Sequence, residues 1–293
     1  MNKKKHILTV DVEDWFQSSR EIFADVPNEL DGRPEPSVVA NTLKCLEWLN
    51  RTSNRATFFV LGSVAESYPD LVREILLKGH EVGSHGYAHR LVYRMNPNQF
   101  ESDLRKSLDI LARAGSSNVQ GFRAPYWSVT KKSLWALDII ASCGLRYDSS
   151  IFPAPNPLYG IAEAPREPHL VLPELWEFPP ATLRLGNFNF PIAGGGYLRL
   201  LPYTVFARAL RIFERETTGV FYFHPYELDP KDVRLPYRSR SLRTLVTRMT
   251  QAAGRSGNPK KIERFLTENR FQSISEWLAA RKNAGASREV AFS

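Results

Sequence analysis

Cysteine is almost missing from this chain: Cys45 and Cys143 are the two thiols in 293 residues. Two are too few for a disulfide framework, and both read as small buried hydrophobes. Long apolar runs are missing too, since nothing approaches the roughly 18–20 residues that a membrane span needs. Lys3-Lys4-Lys5 is followed only by His6-Ile7-Leu8-Thr9-Val10 before acids begin. That run is shorter than a secretion signal's apolar core and no small-residue cleavage site follows it, so the expected location is cytoplasmic. There is no internal repeat and no low-complexity tract. Gly194-Gly195-Gly196 lacks the Lys-Ser/Thr and strand-turn-helix context of a phosphate loop, and reads as a flexible loop beside the active site or a tight turn. With 43% hydrophobic and 24% charged residues, what remains has an ordinary globular balance.

Charge is unevenly distributed. Residues 231–270 hold eleven Lys and Arg against three acids, which accounts for the whole net charge of +8. A solvated helical face is the plain reading. The functional one is contact with an anionic membrane surface or a phosphate-linked substrate. Nucleic acid is not expected, because no recognition motif or base-stacking platform accompanies the charge.

Along the chain, short β-rich runs alternate with amphipathic helical ones. Strands are expected at 7–12, 56–60, 81–84, 119–123 and 145–148. Helices are expected at 37–50, 63–78, from Asn96-Pro97-Asn98-Gln99 onward, and at 130–144. Such repetition argues for parallel strands wrapped by helices. Residues 151–202 break the pattern, with 175–178 and 182–190 read as strands of an inserted hairpin or meander. Helix–strand order returns at 203–224, and the rest is helical and basic. Two parts are expected on one domain: residues 1–230 as the αβ unit, and 231–293 as a helical extension packed on it.

The most informative stretch is His85-Gly86-Tyr87-Ala88-His89. Imidazoles four residues apart share one face of a helical turn and can converge on one metal ion. Asp11-Val12-Glu13-Asp14, Arg123-Ala124-Pro125-Tyr126 and Phe223-His224-Pro225 end other strands. In parallel barrels that end of the strands is where active sites assemble. A carboxylate, two imidazoles, an arginine and a further histidine read as a metal-dependent hydrolase site. Two imidazoles and a carboxylate suit catalytic Zn²⁺, with Co²⁺ or Ni²⁺ as substitutes.

In this order, Thr9-Val10-Asp11-Val12-Glu13-Asp14, Ser84-His85-Gly86-Tyr87-Ala88-His89, Arg123-Ala124-Pro125-Tyr126, Asp148-Ser149-Ser150 and Tyr222-Phe223-His224 resemble the five motifs of the polysaccharide deacetylases. These are the fourth carbohydrate-esterase family, with the fold of the rhizobial Nod-factor deacetylase. The resemblance covers roughly residues 6–230. The Asp-Val-Glu-Asp-Trp start and His-Pro-Tyr-Glu-Leu-Asp-Pro end resemble the branch of bacterial exopolysaccharide gene clusters, related to allantoinase-like deacetylases. The resemblance implies a distorted (β/α) barrel with fewer than eight parallel strands, here with an inserted β-hairpin region and the helical extension.

It also implies roles. His85 and His89 are the metal ligands. The carboxylate ligand is either Glu13, if the strand stays regular so that Asp11 and Glu13 share a face, or Asp14, if the chain turns after Val12; the reading leans to Asp14. Asp11 is the general base, oriented by Arg123. The backbone N–H of Tyr126 faces the oxyanion, and His224 is the general acid, held by Asp148. Trp127, Trp176 and Tyr226, with Trp15 and Tyr126, are candidates for the apolar walls of a sugar site. The implied reaction is removal of an N-acetyl group from N-acetylhexosamine units in a bacterial polysaccharide or its lipid-linked precursor. The alternatives are a cyclic-amide or ureide hydrolase and a non-catalytic glycan-binding relative.

Overall fold

The run His6–Val12 forms β1, and all seven of its residues are buried. Burial on both faces is what a central strand of a parallel sheet demands. In the computed structural model, which describes residues 5–17, 36–156, 158–231 and 253–283, β1 pairs in parallel with β2 (Thr57–Val60) and β10 (Val220–Phe223). From β2 the sheet continues through β3 (Glu81–Ser84), β4 (Gly121–Phe122), β5 (Tyr147–Asp148) and β7 (Leu175–Glu177), all parallel. The antiparallel β6 (His169–Leu172) ends it. A short β11 (Phe271–Gln272) adds a further parallel strand beside β1. The sheet is thus the curled, helix-wrapped α/β half-barrel that the strand–helix alternation anticipates.

Local chemistry accounts for the helices between these strands. These are α1 (Pro36–Arg51), α2 (Gly62–Ser67), α3 (Pro69–Leu77), α4 (Pro97–Arg113) and α5 (Trp135–Ser142). At α4 the expected cap is present: Asn96 accepts from the Gln99 N–H, Gln99 returns the bond, and Pro97 opens the first turn. The single helix expected over 63–78 is instead two. Proline disfavours helical backbone in the residue before it, and Tyr68, at φ −135° and ψ 65°, breaks the run ahead of Pro69.

The inserted region also differs from expectation. Strand β7 forms a hairpin with β6, not with the 182–190 segment, and extends the main sheet along β5, pairing Tyr147 with Trp176 and Asp148 with Glu177. The separate hairpin is β8 (Thr182–Leu185) with β9 (Phe188–Pro191). Helices α6 (Gly195–Leu200) and α7 (Tyr203–Glu216) then lead into β10. Beyond residue 252, α8 (Asn258–Glu268), β11 and α9 (Ile274–Asn283) pack on this same sheet, so the described part of the extension contributes a strand as well as helices. Most of the basic stretch, residues 232–252, lies outside the described residues. Among the described residues no helix is long and apolar enough to cross a membrane.

One core histidine makes stability depend on pH. His80 is 5% exposed, accepts a hydrogen bond from the Ala56 N–H at 3.3 Å, and lies edge-on to Phe58. Burial, with Arg55 nearby, lowers its pKa from 6.5 to about 4. Between those values the unfolded chain binds the proton that the folded chain refuses. The contribution is therefore complete above pH 6.5 and is lost as pH falls through 4. Urea unfolding is expected to lose up to about 3 kcal/mol from this group over that window. His80→Gln, which keeps an acceptor for the Ala56 N–H, should flatten the acid limb.

Candidate active site

Chain extension past the end of β1 decides which acid enters the site. Side chains two apart on extended backbone point the same way, and one imidazole reaches both Asp11 and Glu13: His224 Nε2 is 4.0 Å from Asp11 Oδ2 and 3.4 Å from Glu13 Oε1. Asp14 instead opens a turn, its carbonyl accepting from Gln17 N and its own N–H donating to Gln17 Oε1. This corrects the leaning toward Asp14 as ligand. Glu13 Oε2 lies 2.5 Å from His89 Nε2 and 3.6 Å from His85 Nε2. Among the described residues, Glu13, His85 and His89 form the cluster able to hold a metal ion, and all three are buried.

The histidines follow β3, but not on a helical turn as expected. They lie on a loop with Gly86 at φ +75° and His89 at φ +55°. Glycine adopts that left-handed backbone freely, and the bend brings the two rings within 5.4 Å of one another. His85 Nδ1 meets the Arg123 carbonyl at 2.8 Å. A carbonyl only accepts, so Nδ1 carries a proton and Nε2, turned toward the Glu13 carboxylate, is the nitrogen available to a metal. Two imidazoles and one carboxylate are also a donor set that suits Zn²⁺ and its borderline neighbours. The residues therefore fit a divalent cation. Burial pushes the Glu13 carboxyl up, but His89, His85 and His224 outweigh it and hold it well below the usual carboxylate range.

Arg123, fully buried at the end of β4, ties the strand ends together. Its Nη1 donates to Asp11 Oδ1 at 2.6 Å and to Thr9 Oγ1 at 2.7 Å. Its Nε and Nη2 donate to the Ser149 carbonyl and hydroxyl, and its guanidinium lies 4.4 Å from the rings of both Phe59 and Trp127. A buried charge is tolerable only when paired and hydrogen-bonded in this way. Tyr126 and Trp127 follow in left-handed backbone, and the Tyr126 ring lies edge-on to His89 at 5.1 Å.

The partner of His224 was misread. Its Nδ1 meets Glu227 Oε1 at 2.8 Å, and Glu227 Oε2 accepts in turn from Asn258 of α8 at 3.1 Å. Burial lowers the imidazole pKa, but Glu227, Glu13 and Asp11 reverse this and push it to about 9. Gly195 lies so close to the Glu227 carboxylate that any Cβ there would collide with it. Gly195 thus serves close packing behind His224, and Gly194 does the same against Tyr222, whereas Gly196 faces open space. Asp148 does not hold His224: β5 pairs it beside Glu177 of β7, and its Oδ1 accepts from the Ser150 hydroxyl. Burial pushes both carboxyls up, and the neighbouring Asp148 charge raises Glu177 further. Glu177 Oε1 also accepts from the backbone of Ser150 and Ile151, shaping the turn that holds Arg123.

The expected sugar-binding walls are otherwise engaged. Trp127, 5% exposed, carries the Arg123 guanidinium and packs on Phe152 and Tyr222. Trp176 packs against Trp277 of α9 and lines a cavity with Gln120 and Arg146, residues that precede β4 and β5, so it serves the opposite end of the strands. Tyr226 stacks on His224 at 4.9 Å with Arg255 over its ring. Trp15 is buried against Phe16. Glu227, Glu177, Thr9 and Asn258 were missed. Of these Glu227 alone carried a local signal, the i, i+3 spacing of a capping box with His224 at the N-cap.

Glu227→Gln is expected to keep the fold and the hydrogen bond while removing the charge that stabilises the imidazolium. In any assay of turnover kcat should fall by roughly 10–100-fold with little change in KM. An unchanged kcat would leave Glu227 only a packing role.

Comparison with known proteins points to one family over part of the chain. The polysaccharide deacetylase family model matches residues 25–147, and a domain of unknown function (DUF3473) matches residues 149–279. The peptidoglycan-N-acetylglucosamine deacetylase of Bacillus cereus is 33% identical over 98 residues, 33% of this chain and 36% of that protein. The chitooligosaccharide deacetylase of Azorhizobium caulinodans is 33% identical over 119 residues, 40% of this chain and 53% of that one. The chain thus spans about a third to a half of the length of these curated relatives. A Mycobacterium smegmatis crystal structure assigned to the polysaccharide deacetylases superposes with a TM-score of 0.62 at 16% identity, covering 100% of this chain and 96% of its own. His224 and Glu227 fall within the segment of unknown function, whereas His85, His89 and Arg123 fall within the other. Residues 25–147 thus match the polysaccharide deacetylase family, and they are continued by a segment whose side chains meet the same strand ends.

Proposed function

We propose that the chain is a metal-dependent N-deacetylase acting on N-acetylhexosamine units of a bacterial polysaccharide or its lipid-linked precursor. The observation that carries this reading is the convergence of Glu13, His85 and His89 with an arginine-held carboxylate, Asp11, on one side and a carboxylate-held imidazole, His224, on the other. The family match and the deacetylase names of the relatives support the reaction class.

Glu13, His85 and His89 would hold the cation. When bound, a divalent cation supplies Lewis acidity, lowering the pKa of water from about 15.7 toward roughly 7 and polarising an acyl oxygen. Asp11, fixed by Arg123, accepts the proton of the attacking water. His224, held as imidazolium by Glu227, delivers a proton to the nitrogen as the C–N bond breaks, so acetate and a free amine leave. Burial of the cluster keeps competing water away and strengthens each of these charges.

The test is acetate release from N-acetylglucosamine oligomers and from a diphospholipid-linked N-acetylhexosamine. Loss with chelator and recovery with Zn²⁺, Co²⁺ or Ni²⁺ are expected. Allantoin and cyclic imides belong in the same assay. Turnover of those and of no acetylated sugar would replace this reading with a cyclic-amide hydrolase. Stoichiometric metal without any turnover would favour a glycan-binding role.

A further inference from the structure

Among the described residues, three of the ten large hydrophobics left exposed share one hairpin. Strands β8 and β9 stand apart from the main sheet, and their register sets Leu185 opposite Phe188 and Leu183 opposite Phe190. Directly opposed residues, and residues two apart on a strand, share a face. Leu183, Leu185, Phe188 and Phe190 therefore make one wholly apolar face. At its base Leu183 belongs to the core with Phe206, Leu210 and Phe213 of α7. Toward the Gly186-Asn187 turn the cover ends: Leu185 is 56% exposed, Phe188 50% and Phe190 37%. Single exposed hydrophobics are ordinary, but three on one hairpin face mark an interaction surface.

The exposed charged side chains described on the hairpin and on the neighbouring α7 are arginines. Arg184, on the opposite face, is folded over the turn, donating from Nε to the Gly186 carbonyl and from Nη1 to Asn189 Oδ1. A guanidinium is thereby fixed at the hairpin tip beside Leu185. On α7, which packs beside β8, the exposed positions include Val205, Arg208, Arg211 and Ile212. Glu214 on that helix is turned toward His6 instead.

We propose that the β8–β9 tip inserts into the headgroup–acyl boundary of an anionic bilayer, with Arg184, Arg208 and Arg211 meeting lipid phosphates. A convex apolar tip needs a matching groove on a protein partner, whereas a fluid acyl boundary accepts it as it stands. A cation held at the depth of the apolar side chains needs anions at that depth, and the phosphates of a bilayer lie there. Among the described residues no helix is long and apolar enough to cross a membrane, and the proposed contact is one at the bilayer surface. This inference stands independently of the deacetylase reading.

Vesicle co-sedimentation of the full chain tests it. Binding is expected to vesicles of phosphatidylcholine with about 30 mol% phosphatidylglycerol, to be weak on phosphatidylcholine alone, and to fall in high salt. The double variant Leu185→Ser/Phe188→Ser should lower partitioning at least about tenfold, and Phe188→Trp should raise it. Arg184→Gln/Arg208→Gln/Arg211→Gln should weaken the salt dependence. The Phe188→Trp arm decides the matter should the double variant fail to fold. Absence of vesicle binding, or binding indifferent to the Leu185 and Phe188 changes, would overturn the proposal. Self-association that those changes abolish without any lipid binding would assign the face to a second copy of the chain.

Discussion

Glu13→Gln is expected to strip the cation from the purified protein and abolish turnover, whereas Asp14→Asn keeps both. Glu13 is the only anionic donor in the cluster of Glu13, His85 and His89. An amide of the same shape cannot neutralise a dication that two imidazoles would otherwise hold without any balancing charge. Losing the Lewis acid forfeits several kcal/mol of transition-state stabilisation, on the order of a 10³-fold rate loss or more. Elemental analysis beside acetate release checks it. Stoichiometric metal in Glu13→Gln, or its loss in Asp14→Asn, would return the ligand to Asp14. His85→Ala should behave as Glu13→Gln does, since its Nδ1 bond to the Arg123 carbonyl aims Nε2 at the same point.

That choice between neighbouring acids marks the limit of what the chain discloses by itself. Asp11 and Glu13 share a face only if the backbone stays extended one residue past Val12, and nothing local distinguishes that from an early turn. Features with a local cause were legible. The capping box of Asn96 and Gln99 is one, and strand ends carrying Asp11, His85, Arg123 and His224 are another. Pro69 was an available signal for the break at Tyr68. So was the spacing of His224 and Glu227. The remainder was non-local. Trp127, Trp176 and Tyr226 carry no mark of which guanidinium, indole or imidazole will cover them. Leu175–Glu177 has the composition of a hairpin strand, and only its parallel pairing with β5 turns Glu177 toward Asp148.

Asp11→Asn should do the opposite of Glu13→Gln, leaving the metal in place and removing the rate. Asp11 is not among the clustered donors; its Oδ1 is committed to Arg123 at 2.6 Å, and its Oδ2 faces His224 Nε2 at 4.0 Å. Asparagine preserves the shape but cannot take a proton. A positioned general base contributes roughly 10²–10⁴-fold, so kcat should fall by that factor while KM stays near its original value. The substitution also leaves the buried Arg123 charge without its anionic partner, which costs about 3–5 kcal/mol of stability. The comparison therefore belongs well below the lowered melting midpoint, with metal content measured on the same folded sample. A folded, metal-loaded and fully active Asp11→Asn would remove Asp11 from the chemistry and leave it a structural counter-ion of Arg123. Because Asp11 and Glu13 leave the same strand end on the same side, two conservative amide substitutions two residues apart separate metal retention from proton transfer. No other pair in the site divides those two functions so directly.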